Sequence, residues 1–372
     1  MVVAVLKEPD FENRVSLLPE IIPQLIKKGV QVFVEKAAGE KAFANDDAYT
    51  KSGASIKSAE EIASTADIIL SINHPTSIIN LRPSTILIGV YQPLFNASLF
   101  HDWAKKNITV FSLDMLPRTT RAQNMDVLSS QANIAGYKAV LLAADRYPRY
   151  FPMFMTAAGS IPPAKVLILG AGVAGLQAIA TARRLGAVVE VFDTRPAVKE
   201  EVMSLGAKFI EVEGAADASK AGGYAVEQSA DFLQKQKMKI AESISKADIV
   251  ITTAQIPGKK APILITTEMI EAMKKGSVII DLASATGGNT EKTKDNETVD
   301  FNGVSIIGNS SLASSMPYDA SKLYGKNIFN FLQLIIDKEG KLNLNFEDDL
   351  VKGSCITHNG EVTNERVRGI LA

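Results

Sequence analysis

Short apolar runs alternate along the chain with stretches in which apolar residues recur every third or fourth position, as in successive strand–helix units. Residues 2–6 form the first apolar run, and residues 17–26 then place Leu18, Ile21, Ile22, Leu25 and Ile26 at helical spacing. Gly29 closes that helix and residues 30–34 read as the next strand, a cue for a parallel crossover. Further strands are predicted at 68–72, 85–90 and 108–113, with a helix over 96–105 between the last two.

From 122 to 147 the spacing predicts one long helix, which links two domains. A strand at 165–169, a glycine turn, a helix over 173–185 and a strand at 188–192 follow. A helix over 198–205, a strand at 208–212 and a polar segment at 213–223 come next, then a helix near 225–246. A strand at 249–253, a helix at 268–274 and strands at 277–282 and 304–307 complete a doubly wound sheet. Helical periodicity returns over 314–336 through Leu323, Ile328, Leu332 and Ile335, and is expected to carry the chain back to the first domain. The tail 342–372, punctuated by Gly353 and Gly360, reads as a small attached hairpin. The expected domains are 1–133 with 313–372, and 134–312.

Composition narrows the chemistry. With 46% hydrophobic and 22% charged residues, the chain has the make-up of a globular protein. Its 40 basic and 41 acidic residues give a net charge of −1, which offers no general attraction for nucleic acid. One cysteine, Cys355, excludes an intramolecular disulfide, and three scattered histidines point to no metal site. The start MVVAVLKEPD reaches Lys7 and Glu8 too soon for a secretory signal. The most membrane-like window, 166–182, contains Gly170, Gly172, Gly175 and Gln177 and falls short of a span. The expectation is a cytoplasmic chain without direct membrane insertion.

The run KVLILGAGVAGLQAIATARRLGAVVEVFD carries G-x-G-x-x-G at Gly170, Gly172 and Gly175. An apolar strand precedes it, an Ala-rich helix follows it, and Asp193 ends the next strand 18 residues after Gly175. Gly170 permits the tight turn, Gly172 lets backbone approach a pyrophosphate, and Gly175 lets helix pack on strand. The helix start at Val173, Ala174 and Gly175 offers unpaired amides to phosphate. Asp193 suits the adenosine ribose hydroxyls and repels a 2′-phosphate, which favours NAD(H) over NADP(H). Arg195 complicates this, since an arginine here can neutralise that phosphate; with Pro196 following at once, it reads as a surface residue or a pyrophosphate partner. Thr194, Thr253 and Ala254 join it as cofactor-binding candidates. The alternative is a purely structural glycine turn. The expected fold class is α/β, with two parallel-sheet Rossmann-like domains, the N-terminal one discontinuous.

A second constellation, Arg118, Arg121, Gln123, Asp126 and Ser129, lies within twelve residues. Asp126 and Ser129 are three apart and would share a helix face, which Gln123 extends. Such groups suit a nicotinamide carboxamide and its ribose. They equally suit an interdomain polar cluster or a helix N-cap network, and spacing does not choose.

The order MLPRTTRAQNMDVLSSQ, MTAAGSIPPAKVLILGAGVAGLQAIATARRLGA, AGGYA, TTAQIPGKKAP and GSVIIDLA resembles the NAD(H)-binding part of the proton-translocating NAD(P)+ transhydrogenase α subunit, nearly end to end. The resemblance implies a homodimeric peripheral unit on the cytoplasmic face of the inner membrane. It would pass hydride between NADH and NADP+ held on the NADP(H)-binding domain of membrane-spanning partner subunits, coupled to proton translocation. It implies that Arg118, Gln123, Asp126 and Ser129 form the catalytic, nicotinamide-side loop, and that residues 221–225 form a mobile loop with Tyr224 closing over the cofactor.

The N-terminal pattern also resembles alanine dehydrogenase. Arg14 matches that family's substrate-carboxylate arginine, but Asn73, Val90 and Ala285 stand where its lysine, histidine and aspartate are expected. Three of four groups for handling an amino acid are missing. His74 and His101 read as surface residues and His358 as part of the tail hairpin. A third reading is a non-catalytic NAD sensor.

Overall fold

The computed structural model describes residues 1–75, 81–214 and 229–371. It divides into two compact units, Met1–Gln131 with Ser314–Ala372, and Ala132–Ala313.

The first unit opens with strands β1 (Val2–Val5), β2 (Gln31–Glu35), β3 (Ser55–Lys57), β4 (Ile68–Leu70), β5 (Ile86–Gly89) and β6 (Thr109–Ser112), all paired in parallel. Helices α1 (Ile22–Ile26), α2 (Asp46–Lys51), α3 (Ala59–Thr65) and α4 (Ala97–Lys105) make the crossovers. The helix predicted over 17–26 is instead a 3-10 turn, Pro19–Ile21, followed by the short α1. Pro19 and Pro23 lack the amide protons that a continuous helix needs. Alternate strand residues feed two cores. Val3, Val5, Ile68, Leu70 and Ile88 face one side; Ala4, Leu6, Ile69 and Leu87 face the other, with Phe100 and Trp103 of α4. Trp103 is edge-on to both Tyr91 and Phe100, at ring separations of 5.8 and 5.5 Å.

Helix α5 (Val127–Arg146) leads into the second unit. A hairpin of β7 (Phe154–Thr156) and β8 (Gly159–Ile161) comes first. Then β9 (Lys165–Leu169), α6 (Val173–Arg184), β10 (Val188–Phe192), α7 (Lys199–Ser204) and β11 (Lys208–Phe209) wind in one direction. After α8 (Ala230–Ile244), β12 (Ile249–Thr252), α9 (Thr267–Glu271) and β13 (Val278–Asp281) wind in the other. The sheet ends with β14 (Thr298–Phe301) and β15 (Val304–Gly308), giving the order β11-β10-β9-β12-β13-β15-β14. The direction reverses between β9 and β12, so the crevice beyond their C-terminal ends is where an open α/β sheet binds ligands. The sequence reading missed the antiparallel edge strand β14. Its signal was Asn302-Gly303, whose φ values of 54° and 77° close a tight hairpin.

The chain returns through α10 (Pro317–Ile335), which covers one face of the first sheet with Tyr324, Ile328, Phe331 and Leu332. It continues as α11 (Asp349–Ser354), β16 (Cys355–His358), β17 (Glu361–Val362) and α12 (Glu365–Leu371). The tail is therefore not a separate hairpin attachment. β16 pairs antiparallel with β6, and the first sheet reads β17-β16-β6-β5-β4-β1-β2-β3. Burying Cys355, Ile356 and Thr357 explains why this edge is covered. Among the described residues no helix is long and apolar enough to cross a membrane.

Candidate functional site

The glycine turn sits at the reversal point of the second sheet. Gly170 follows β9 directly with φ 106°, a conformation that a side chain resists. The Thr253 hydroxyl, just past β12, donates to the Gly170 carbonyl at 3.1 Å. Gly172 caps α6 with extended backbone, and a Cβ built there would meet nothing within 4 Å. The turn is open to a ligand on that side. By contrast, a Cβ at Gly175 would collide with the Gly170 carbonyl oxygen, so this glycine holds helix against strand. The amides of Val173, Ala174 and Gly175 have no partner inside the helix and carry its positive dipole end. Gly136 of α5, which the sequence reading passed over, lies against the Ala174 backbone and also admits no Cβ. The sequence cue was a glycine inside an otherwise strong helix.

Asp193 ends β10 as predicted, but Arg195 is neither a surface residue nor turned outward. Its Nε donates to Asp193 Oδ1 at 2.8 Å and its Nη2 to Oδ2 at 2.7 Å. The Asp193 carboxylate also accepts the amides of Ala171 at 2.7 Å and Arg195 at 2.8 Å. The two side chains are two apart on extended backbone, so they point the same way and pair. Thr194 between them is half-buried.

Behind Thr253, the Ala254 amide donates to Asn289 Oδ1 at 3.1 Å, and Asn289 Nδ2 returns bonds to the Ala254 and Pro262 carbonyls, both at 2.9 Å. Asp281 accepts the Asn289 amide at 2.6 Å and the Thr293 hydroxyl at 2.6 Å. Asn289 and Asp281 are wholly buried and fix the loop after β12. Sequence reasoning missed both because their partners are distant in the chain. Tyr224 and residues 221–225 lie outside the described residues.

In the first unit, Arg118, Gln123, Asp126 and Ser129 line one cleft of about 380 Å³. They do not share a helix face. Gln123 lies in a 3-10 turn, Thr120–Met125, and α5 begins only at Val127. Asp126 caps it: its carboxylate accepts the Ser129 amide at 2.9 Å and the Ser129 hydroxyl at 2.6 Å. The same residues thus form an N-cap network and a cleft wall. Arg118 and Gln123 are exposed, while Asp126 and Ser129 are half-buried. Arg121 pairs away with Asp348 and Asp349. Asp114, another wall residue that the sequence reading overlooked, has its carboxyl pushed up by burial against the Ser112 hydroxyl and nearby amides.

The amino-acid-handling set is dismantled. Arg14 is buried and clamped to Glu12, with Nε–Oε1 at 2.9 Å and Nη2–Oε2 at 2.6 Å, while Nη1 donates to Gln131 at 2.8 Å. Burial pushes the Glu12 carboxyl up, but Arg14 outweighs it and holds it below the usual range. Asn73 donates its amide side chain to Glu8 at 3.0 Å. Burial raises the Glu8 carboxyl from 4.5 to about 7, against the N–H groups of Ile72 and Asn73 that favour its ionised form.

Because the folded value lies above the unfolded one, Glu8 stabilises the protonated fold fully below pH 4.5, and this is lost as pH rises through about 7. The Glu8→Gln chain should gain about 3 kcal/mol relative to the parent between pH 4.5 and 8. Urea unfolding followed by circular dichroism at both pH values reads this difference; a constant gap would contradict it.

A family model described as alanine dehydrogenase/PNT, N-terminal domain, matches residues 4–135, and its C-terminal domain counterpart matches 139–365. An NAD(P) transhydrogenase subunit alpha chain of Rickettsia prowazekii (strain Madrid E) is 46% identical over 99% of this chain and 97% of its own. An alanine dehydrogenase of Staphylococcus epidermidis is 27% identical over 96% of this chain and 92% of its own. The solved transhydrogenase of Sinorhizobium meliloti superposes with a TM-score of 0.89 at 45% identity, over 97% of this chain and all (100%) of that one. The chain belongs to the alanine dehydrogenase/PNT family and, within it, to the NAD(P) transhydrogenase alpha subunits.

Proposed function

We propose that this chain binds NAD(H) and exchanges hydride with NADP(H) carried by a partner subunit of a proton-translocating transhydrogenase. The residues fit a dinucleotide: Gly172 leaves room for a pyrophosphate, the α6 amides face it, and Asp193 offers carboxylate oxygens to a ribose. When bound, the dihydronicotinamide supplies the hydride. Arg118, Gln123, Asp126 and Ser129 serve the nicotinamide end, Gln123 pairing with a carboxamide and Asp126 with Ser129 orienting ribose hydroxyls. Thr253 and Ala254 hold the turn from behind.

The observation that carries this reading is the clamp on Arg14. An alanine-type enzyme needs that guanidinium for a carboxylate and a base to take a proton. Here Glu12 and Gln131 occupy it, and Asn73, Val90 and Ala285 supply no base. Transfer between two nicotinamides needs only orientation and exclusion of water.

The purified chain, mixed with NADH and an NADP-bearing partner domain, should reduce an NADP analogue. It should leave NAD unreduced when given L-alanine alone. No transfer in the first case, or turnover in the second, would overturn the proposal. The alpha-subunit relatives support membrane-spanning partners and a peripheral place on the cytoplasmic face of the membrane. A homodimer is favoured by the β7–β8 hairpin, where Met153, Phe154 and Met155 are exposed and Tyr150 stacks on Phe154 at 5.0 Å. Sedimentation should give twice the chain mass, and Met155→Asp should lower the association constant.

A further inference from the structure

We infer that Arg195 is a latch on Asp193 that competes with the adenosine ribose and sets the preference of the site for NAD(H) over NADP(H). The inference rests on the dinucleotide reading of the glycine turn. Each Asp193 oxygen already accepts two donors: Oδ1 takes the Arg195 amide and Nε, and Oδ2 takes the Ala171 amide and Arg195 Nη2. A carboxylate has about four lone-pair sites, so this one is full. The pair is not a solvated surface contact, because the side chains are only 18% and 6% exposed for arginine and aspartate.

A ribose diol therefore binds Asp193 only by displacing the guanidinium. The Ala171 bond stays, since it belongs to the turn itself. The exchange replaces two charge-assisted N–H bonds with two hydroxyl bonds, which are weaker, so the closed pair lowers the apparent affinity for NADH. For NADPH the balance reverses. The 2′-phosphate offers no hydroxyl to Asp193 and is repelled by it, but the displaced guanidinium gains a better anion two residues away. Arg195 thus opposes one cofactor and assists the other.

The test is titration of the full chain with NADH and with NADPH, followed by the fluorescence of the reduced ring. Arg195→Gln should tighten NADH by about tenfold and weaken NADPH by about tenfold, widening the ratio about a hundredfold. Arg195→Lys keeps the charge but cannot form the fork, so it should tighten NADH while retaining most NADPH affinity. Asp193→Asn should do the reverse of Arg195→Gln. Thermal unfolding of each variant confirms that the unit is folded. Equal weakening of both cofactors in both Arg195 variants would make Arg195 a mere support of the turn and overturn the latch, as would unchanged affinities. A parent chain that binds neither cofactor would overturn the underlying dinucleotide reading instead.

Discussion

Gly175→Ala should lower NADH affinity by about a hundredfold and destabilise the second unit by about 3 kcal/mol. The added methyl meets the carbonyl oxygen of Gly170, which is backbone and has no rotamer in which to retreat. Relief requires α6 to move away from β9 or the turn to change its path. Either movement takes the first-turn amides out of line with a pyrophosphate, so stability and binding fall together. Gly172→Ala provides the contrast. Its new Cβ meets nothing in the protein, so the fold should hold while NADH binding weakens from crowding of the ligand alone. Thermal melts and fluorimetric titration of the two variants separate these effects. A Gly175→Ala chain with parental melting temperature and affinity would show that the close packing is not required.

Asp126→Asn should slow hydride transfer about a hundredfold while leaving the affinity for adenosine 5′-phosphate and the melting temperature close to the parent's. Asparagine caps helices as well as aspartate, and its carbonyl can keep the bond from the Ser129 amide. What it loses is the charge and the second acceptor, which now takes the Ser129 hydroxyl. If Asp126 served only as the cap of α5, the substitution would change nothing. Rate and stability therefore answer separate questions. Stopped-flow transfer to a partner-bound NADP analogue measures the first, and a parental rate would reduce Asp126 to its capping role.

The strands were legible because parallel strands buried on both faces read as unbroken apolar runs, such as Ile68–Leu70 and Val278–Asp281. The glycine turn was legible because its residues are contiguous and each glycine answers a local geometric demand. Groups whose meaning lies in distant partners were hidden. Glu8 is defined by Ile72 and Asn73, Asn289 by Ala254 and Pro262, and β16 by β6 across more than two hundred residues. The helical face assigned to Gln123, Asp126 and Ser129 failed for a local reason: aspartate is a better cap than a first-turn residue, so the helix started after it. The Asp193–Arg195 pair was within reach of the sequence, since side chains two apart on extended backbone face the same way.

The chain holds one tryptophan, and its indole is wedged between Tyr91 and Phe100 in the first unit. Excitation near the red edge of indole absorption therefore interrogates Met1–Gln131 with Ser314–Ala372 and is blind to melting of Ala132–Ala313. Denaturation watched at that wavelength beside far-ultraviolet ellipticity would reveal whether the two bodies come apart in a single cooperative event or in sequence, without any engineered label.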